Sequence, residues 1–287
     1  MRQRARSLGI DLQSVPGTGA ERHITHADLD AILSRGTSAP ANSHNAADTR
    51  YAQLSDVQAI PVIGMRRKIA QKMQDAKRRI PHFTYVEEVD VTEIEALRVQ
   101  MNARWAAQRG KLTLLPLLMR AVVLAVRRYP DVNARFDDDA GVVTRYQPVH
   151  LGIATQTDAG LMVPVVRNAE WRDPWASAAE VLRLAAAARG GTAVREELSG
   201  STITITSLGP LGGIVTTPVI NHPEVAIVGI NRIVDRPVIR DGAMVARKMM
   251  NLSCSFDHRV IDGMYAAQFV QALEQERLRV LLLDTRN

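Results

Sequence analysis

Cysteine is nearly absent from this 287-residue sequence. The single one, Cys254, excludes an internal disulfide framework and any zinc knuckle built from cysteines. It is compatible with a reducing compartment. Aromatic residues make up only 4% of the chain, so aliphatic side chains must fill the core. Long apolar runs are missing as well. The greasiest stretch, 112–126, is interrupted by Pro116 and Arg120 and is too short to span a bilayer. No apolar signal core follows the basic start Arg2-Gln-Arg-Ala-Arg6; Asp11 and a glycine-rich turn come at once, so a basic first helix is the better reading than a transit peptide. There is no internal repeat, no Gly-x-Gly-x-x-Gly fingerprint, no Walker loop and no His-x-x-x-His spacing. Dinucleotide, P-loop and helical zinc chemistry therefore have no sequence support, and no metal site is expected.

What is present is ordinary for a soluble globular protein: 46% hydrophobic and 23% charged residues, with length enough for one or two domains. The net charge of +6 favours acidic partners without choosing among nucleic acid, membrane surface and phosphorylated ligands. Composition separates three regions. Residues 1–34 are charged and turn-rich, residues 35–58 read as a flexible linker, and residues 59–287 are dense in Val, Ile and Leu.

In the first region, Arg2 to Leu8 forms one or two helical turns. Val15-Pro-Gly-Thr-Gly19 is a turn cluster, and Thr25 with Asp28 starts a helix through Leu33. So small a module has little core of its own and exists to bind something. A helix-turn-helix DNA reader and a docking domain for another protein both fit. In the large region the patterns predict helices at 65–79, 91–107, 113–128, 175–189 and 262–283. They predict strands at 83–90, 143–144, 150–155, 161–166, 202–207, 225–230 and 248–256, with Asp241-Gly242 as a hairpin turn. Strands and helices without strict alternation argue for a mixed α/β two-layer sandwich.

Of the seven histidines, His23 and His26 suit a solvated surface and His44 falls in the linker. His82 reads as structural, and His150 and His222 show no evident partner. His258 differs. It follows an apolar strand and precedes a helix in Ser255-Phe-Asp-His-Arg-Val-Ile-Asp-Gly263, where a side chain can be held rigidly yet face a cleft. There it can serve as a general base, or simply be a loop histidine beside a helix cap. Cys254, four residues earlier, could face the same side and act as a nucleophile; an inert core thiol suits its buried-strand pattern better. Without a protein nucleophile the base would activate a substrate's own hydroxyl or thiol, which implies direct transfer in a ternary complex. Thr202, Thr204 and Thr206 share one face of a strand that runs into Gly209-Pro-Leu-Gly-Gly213. They reflect strand propensity alone, or place a terminal hydroxyl to bond a developing oxyanion. The basic runs 66–68 and 77–79 lack the interleaved aromatics that nucleic-acid stacking needs and read as a solvated or subunit-contacting face.

Taken together, these segments resemble the acyltransferase component of the 2-oxo acid dehydrogenase complexes, over nearly the whole chain. Residues 1–34, with Gly9-Ile-Asp-Leu12 and Gly17-Thr-Gly19, look like its all-α peripheral subunit-binding domain. Residues 59–287 look like its catalytic domain, through Ile80-Pro-His-Phe83, Glu88-Val-Asp-Val-Thr92, Gly160-Leu-Met-Val-Pro164, Thr204-Ile-Thr-Ser-Leu-Gly209 and the His-x-x-x-Asp-Gly signature ending at Gly263. The resemblance implies a chloramphenicol-acetyltransferase-like fold with a mixed sheet. It also implies trimers with each active site at a subunit interface, assembled into a larger hollow core. His258 then corresponds to the base that deprotonates the attacking thiol, Thr206 to the hydroxyl that bonds the oxyanion, and Asp262 to the residue that fixes local geometry. Coenzyme A and dihydrolipoamide would enter from opposite sides. Residues 77–92 look closest to the branched-chain members, so isobutyryl, isovaleryl or 2-methylbutyryl groups are the expected cargo.

Two departures stand out. No lipoyl-bearing Asp-Lys-Ala turn occurs, so the lipoyl group is expected on a domain absent from this chain. In the small module, Arg2 and Arg6 match the family's docking arginines for dihydrolipoamide dehydrogenase or the 2-oxo acid decarboxylase, but Glu21-Arg-His-Ile24 stands where the family has Gly-Gly-Arg-Ile. A non-catalytic core scaffold is the main alternative, followed by a free-standing acyltransferase and a basic nucleic-acid binder. Neither nucleic acid nor membrane is an expected partner, and the expected setting is the bacterial cytoplasm, or the mitochondrial matrix in a eukaryote.

Overall fold

The computed structural model describes residues 2–34 and 55–282. The chain divides into two compact units, Met1–Ile60 and Pro61–Asn287. Of the expected linker 35–58, residues 35–54, His44 among them, lie outside the described residues; residues 55–58 are exposed and carry no regular structure.

Among the described residues the first unit holds two α-helices, α1 (Arg2–Ser7) and α2 (His26–Ser34). Its core is small: Ala5, Val15 and Leu29 are buried, with Ile10, Leu12, Ile24 and Ile32 around them. A polar clamp supplements it. The Asp28 carboxylate accepts hydrogen bonds from the Thr18 hydroxyl (2.7 Å) and amide (3.1 Å) and from the Thr25 amide (2.8 Å) and hydroxyl (3.0 Å). These donors, Thr18 Oγ1 first, hold its pKa far below the usual carboxylate range. The Thr25–Asp28 pair predicted to start α2 is thus present, and the same carboxylate ties down the glycine-rich loop.

The second unit runs α3 (Gly64–Arg79), β1 (His82–Asp90), α4 (Thr92–Arg109), α5 (Leu114–Arg128), β2 (Ala134–Asp137), β3 (Val142–Arg145), β4 (Leu151–Ile153), β5 (Thr155–Thr157), β6 (Gly160–Met162), β7 (Val165–Val166), α6 (Pro174–Arg189), β8 (Ile203–Ser207), β9 (Ala226–Arg240), β10 (Ala243–Asp257) and α7 (Gly263–Leu282). Two helix starts rest on aspartate side chains. Asp173 accepts from the Ala176 amide (2.7 Å) with Pro174 next in line, and Asp90 accepts from the Thr92 amide (3.0 Å). Asp241 and Gly242 close the β9–β10 hairpin with φ of 50° and 80°, the left-handed pair that a two-residue hairpin requires.

Six strands form one mixed sheet in the order β1-β10-β9-β8-β4-β7. The β8 pairings with β4 and β9 are parallel and the rest antiparallel. One face carries Ile203 and Ile205 from β8, Val228 and Ile230 from β9, and Met250, Leu252, Cys254 and Phe256 from β10; these merge with α4, α5, α6 and α7 into the main apolar core. The other face is also buried but polar. Thr202, Thr204, Asn231, Ser253, Ser255 and Asp257 are each 6% exposed or less. The α/β class with a mixed sheet and a helical layer is as expected.

Four strand readings need correction. Residues 150–155 are not one strand: β4 belongs to the main sheet and β5 pairs with β6 in a separate ribbon. Residues 161–166 split likewise, because Pro164 has no amide to donate; only its carbonyl is used, by the Ile153 amide (2.8 Å). β2 was not anticipated; it exists by pairing with β3. The strands expected at 225–230 and 248–256 are halves of two 15-residue strands. Their far halves are exposed and held by backbone pairing, a state that leaves little trace in hydrophobic pattern.

Candidate active site

Thr206 lies near the end of β8 on the polar face. Of the three threonines in that row, Thr202 donates to Asn133 Oδ1 (2.5 Å) and accepts from the His150 amide (3.0 Å). Thr204 joins Asn221, Ser201 and buried Glu224. Burial pushes the Glu224 carboxyl upward in pKa. Thr206 is half-buried, and among the described residues its hydroxyl has no hydrogen-bond partner. It opens onto a cavity of about 120 Å³ lined also by Gly212, Thr216, Thr217 and Asn231. Its register partner on β9 is Gly229, where a Cβ would come within 2.5 Å of the Ser253 carbonyl. A side chain there would press on the β10 backbone first, and at 3.3 Å on the Thr216 hydroxyl of the covering loop.

His258 stands just past the end of β10, exposed. Its amide donates to the Pro81 carbonyl (3.2 Å), and its ring lies 4.5 Å from that of Phe83. The turn is tied on both flanks. Buried Asp257 takes a two-pronged bond from Arg259 (Nε 2.9 Å, Nη2 2.6 Å) and the Arg259 amide (3.0 Å). Arg259 also donates to Asp138 (2.5 Å), whose other oxygen bonds His222 Nε2 (2.6 Å). Burial works against ionisation of Asp138, yet the hydrogen bonds from His222 and Arg259 outweigh it and lower its pKa. Asp262 is exposed and accepts from the Tyr265 amide (2.8 Å), so it caps α7 and fixes the helix start beside His258.

The structure does not bring Thr206 and His258 together within one chain. Thr206 pairs with Gly229, and Gly229 with Ser253. Strand geometry then puts the end of β10 roughly 13 Å further along and about 10 Å across the sheet from Thr206. The Cys254–His258 pair is excluded. Cys254 is fully buried on the helix face, and burial pushes its thiol up to about 12.

Sequence reasoning left His222 and His150 without partners. His222 holds Asp138, and His150 Nδ1 accepts from the Asn168 amide (3.1 Å). His82 is structural as expected: Nδ1 donates to the Ile80 carbonyl (2.9 Å), Nε2 accepts from the Ile220 amide (3.0 Å), and burial lowers its pKa. Asp138, Phe83 and Arg259 were missed as supports. Only the position of Arg259 inside the signature could have flagged any of them.

In the first unit, α1 leaves Arg2 and Arg6 exposed, while Arg4 between them is paired with Asp30 (2.8 Å) and His26 (3.0 Å). Among the described residues Arg2 and Arg6 have no ion pair. Glu21 and Arg22 both adopt positive φ, 57° and 62°, which non-glycine residues seldom do. Across the described residues, no group of three or more His, Cys, Asp or Glu could hold a metal ion, and no helix is long and apolar enough to cross a membrane.

The chain was compared with known proteins. Residues 54–279 match the model for the 2-oxoacid dehydrogenases acyltransferase catalytic domain, and residues 2–30 match that for the e3 binding domain. The chain is 66% identical, over 95% of its length, to the lipoamide acyltransferase component of the branched-chain alpha-keto acid dehydrogenase complex of Pseudomonas aeruginosa. It spans 63% of that relative's length. Among solved structures, one comes from an investigation of a serine, a histidine and an asparagine in the catalytic mechanism of Azotobacter vinelandii dihydrolipoamide acetyltransferase. It matches with TM-score 0.75 and 37% identity, covering 79% of this chain and 94% of that one. The cubic core of a pyruvate dehydrogenase multienzyme complex matches with TM-score 0.75 and 37% identity over 81% of this chain and 96% of that one. The chain belongs to the 2-oxoacid dehydrogenase acyltransferase family.

Proposed function

We propose that the chain transfers an acyl group between dihydrolipoamide and coenzyme A, with branched-chain acyl groups as cargo. The observation that carries this is a spacing. The serine, histidine and asparagine of the Azotobacter enzyme are 52 and 4 residues apart, and Thr206, His258 and Asp262 are 52 and 4 residues apart. The geometry adds support: Thr206 and His258 present an unpartnered hydroxyl and an unpartnered imidazole, while the polar groups around them are bonded to one another.

In the proposed mechanism, neutral His258 takes the proton of the attacking thiol. Thiols titrate near pH 8.5 when unperturbed, within reach of an imidazole acceptor. The thiolate sulfur bonds the thioester carbon and the carbonyl electrons move onto oxygen, where Thr206 donates its hydrogen bond. The intermediate then expels the other thiolate, which recovers the proton from the imidazolium. Asp262 holds the start of α7 and so the turn that carries His258. Because Thr206 and His258 are far apart in one chain, His258 of one copy would face Thr206 of another. This fits a homotrimer assembled into a larger core, as the match to a cubic core suggests. Arg2 and Arg6 would dock dihydrolipoamide dehydrogenase, and the 2-oxo acid decarboxylase is the other candidate for the same surface. The lipoyl group is delivered by a lipoyl domain, and the bacterial relatives favour a cytoplasmic setting. Residues 1–34, 35–58 and 59–287 would serve as docking domain, linker and catalytic domain.

The test is acyl transfer from a panel of acyl-coenzyme A thioesters to free dihydrolipoamide. Isobutyryl or isovaleryl donors are expected to react. His258→Ala should lower the rate about 10²- to 10⁴-fold. Thr206→Val should lower kcat about 10²- to 10³-fold. A folded, assembled wild type that transfers no acyl group would overturn the catalytic reading and leave the core scaffold in its place.

A further inference from the structure

All four phenylalanines of this aromatic-poor chain gather at the His258 turn. Phe269 lies in the core of α7, fully buried, and meets Phe256 edge-on at 6.1 Å. Phe256 meets Phe83 at 5.6 Å, and Phe83 meets the His258 imidazole at 4.5 Å with the ring planes 48° apart. The fourth, Phe136, lies under the Arg259 guanidinium, 4.3 Å from its centre. A chain of rings thus leads from the middle of the apolar core to an exposed imidazole.

We infer that Phe83 is a positioning residue that sets the orientation of the His258 ring; this rests on His258 being the base proposed above. Hydrogen bonds fix the backbone of the turn: His258 N–H to the Pro81 carbonyl, and the Val260 and Ile261 amides to the Asp257 carbonyl (3.0 and 2.9 Å). They leave the side-chain torsions of His258 free. Among the described residues the imidazole nitrogens have no hydrogen-bond partner, so no acceptor orients the ring as a carboxylate would. The face of Phe83 is what limits it.

Phe83 is itself immobile for two reasons. It sits opposite Phe256 in the β1–β10 register, next to the His82–Asp257 pair that ends the ladder. Its ring packs against the main core. A tilted ring contact suits an imidazole that must alternate between neutral and protonated forms. It restricts rotation without offering a hydrogen bond to either form, and the electron-rich ring face tolerates the cation. A base held this way keeps both nitrogens available to substrate, and small losses of alignment at a reacting atom are costly.

The test compares the full chain carrying Phe83→Leu, Phe83→Met and Phe83→Tyr, assayed with isobutyryl-coenzyme A and free dihydrolipoamide, alongside His258→Ala. Leu and Met remove the ring and keep apolar bulk; Tyr keeps the ring. Both ring-less variants should lose about ten- to a hundredfold in kcat, with KM for both substrates within about twofold of wild type. Phe83→Tyr should stay within about threefold of wild type. Phe83→Met stands in if Phe83→Leu fails to assemble. Wild-type kcat in a ring-less variant, or equal losses in the Met and Tyr variants, would overturn the inference. If His258→Ala is as active as wild type, the proposed function has failed instead, and the two failures are told apart by that one variant.

Discussion

Phe256 and Asp257 are neighbours in β10, both fully buried, and they face opposite sides of the sheet. Phe256 joins an apolar layer under four helices. Asp257 joins a layer of hydroxyls, amides and carboxylates covered by loops. The first layer has no chemistry to offer and supplies the cohesion. The second is costly to bury unless each group is paired. Its pairs are present nearly throughout: Thr84 with Ser255 (2.9 Å), Ser253 with Asn231 (2.7 Å), Asp257 with Arg259. The groups proposed to react, Thr206 and His258, stand where the pairing stops, at the end of β8 and just past the end of β10. The polar sheet face thus holds the Thr206 hydroxyl, while the His258 ring sits past the strand end against Phe83, at the margin of the apolar layer that carries the stability.

Three experiments would break or sharpen this contrast. The largest effect is expected from Phe256→Ala, which should cost about 3–5 kcal/mol by chemical denaturation, since it opens a cavity in the apolar layer. A loss below ~1 kcal/mol would mean that the helix face is not the cohesive one. Ser255→Ala removes one hydroxyl pair from the polar layer and should cost about 1 kcal/mol. The smallest effect needs acid to appear. Asp138 has a lowered pKa, so its contribution is complete above the ordinary carboxylate value and is lost as pH falls through the lowered one. Melting temperature followed from pH 6 to pH 3 should therefore fall more steeply for wild type than for Asp138→Asn. Parallel curves would remove Asp138 from the brace around His258.

Most of the architecture was legible in the sequence because its signals are local. Thr25 with Asp28, Asp241-Gly242 and the Thr202–Thr206 alternation each act within a few residues, and each does what its chemistry predicts. What escaped depends on distant partners. The outer halves of β9 and β10 exist because they pair with each other, and β2 because it pairs with β3. The candidates His258 and Thr206 were proposed from their motifs. The brace was not: Asp138, His222 and Phe83 reach the His258 turn from separate parts of the chain, and nothing in their own neighbourhoods announces the meeting. Cys254 was separable from His258 by pattern alone, since Leu252, Cys254 and Phe256 alternate as one apolar face.

That sealed thiol has a practical side. These 287 residues, proposed to pass acyl groups from one sulfur to another, contain only one cysteine, and the fold keeps it out of the trade. Thioesters at the surface meet no competing thiol on this chain, so stray transfer onto its own sulfur is suppressed by architecture alone. The same burial turns Cys254 into a built-in reporter: a thiol-reactive dye ignores the folded state, and its uptake counts the molecules that have opened the core.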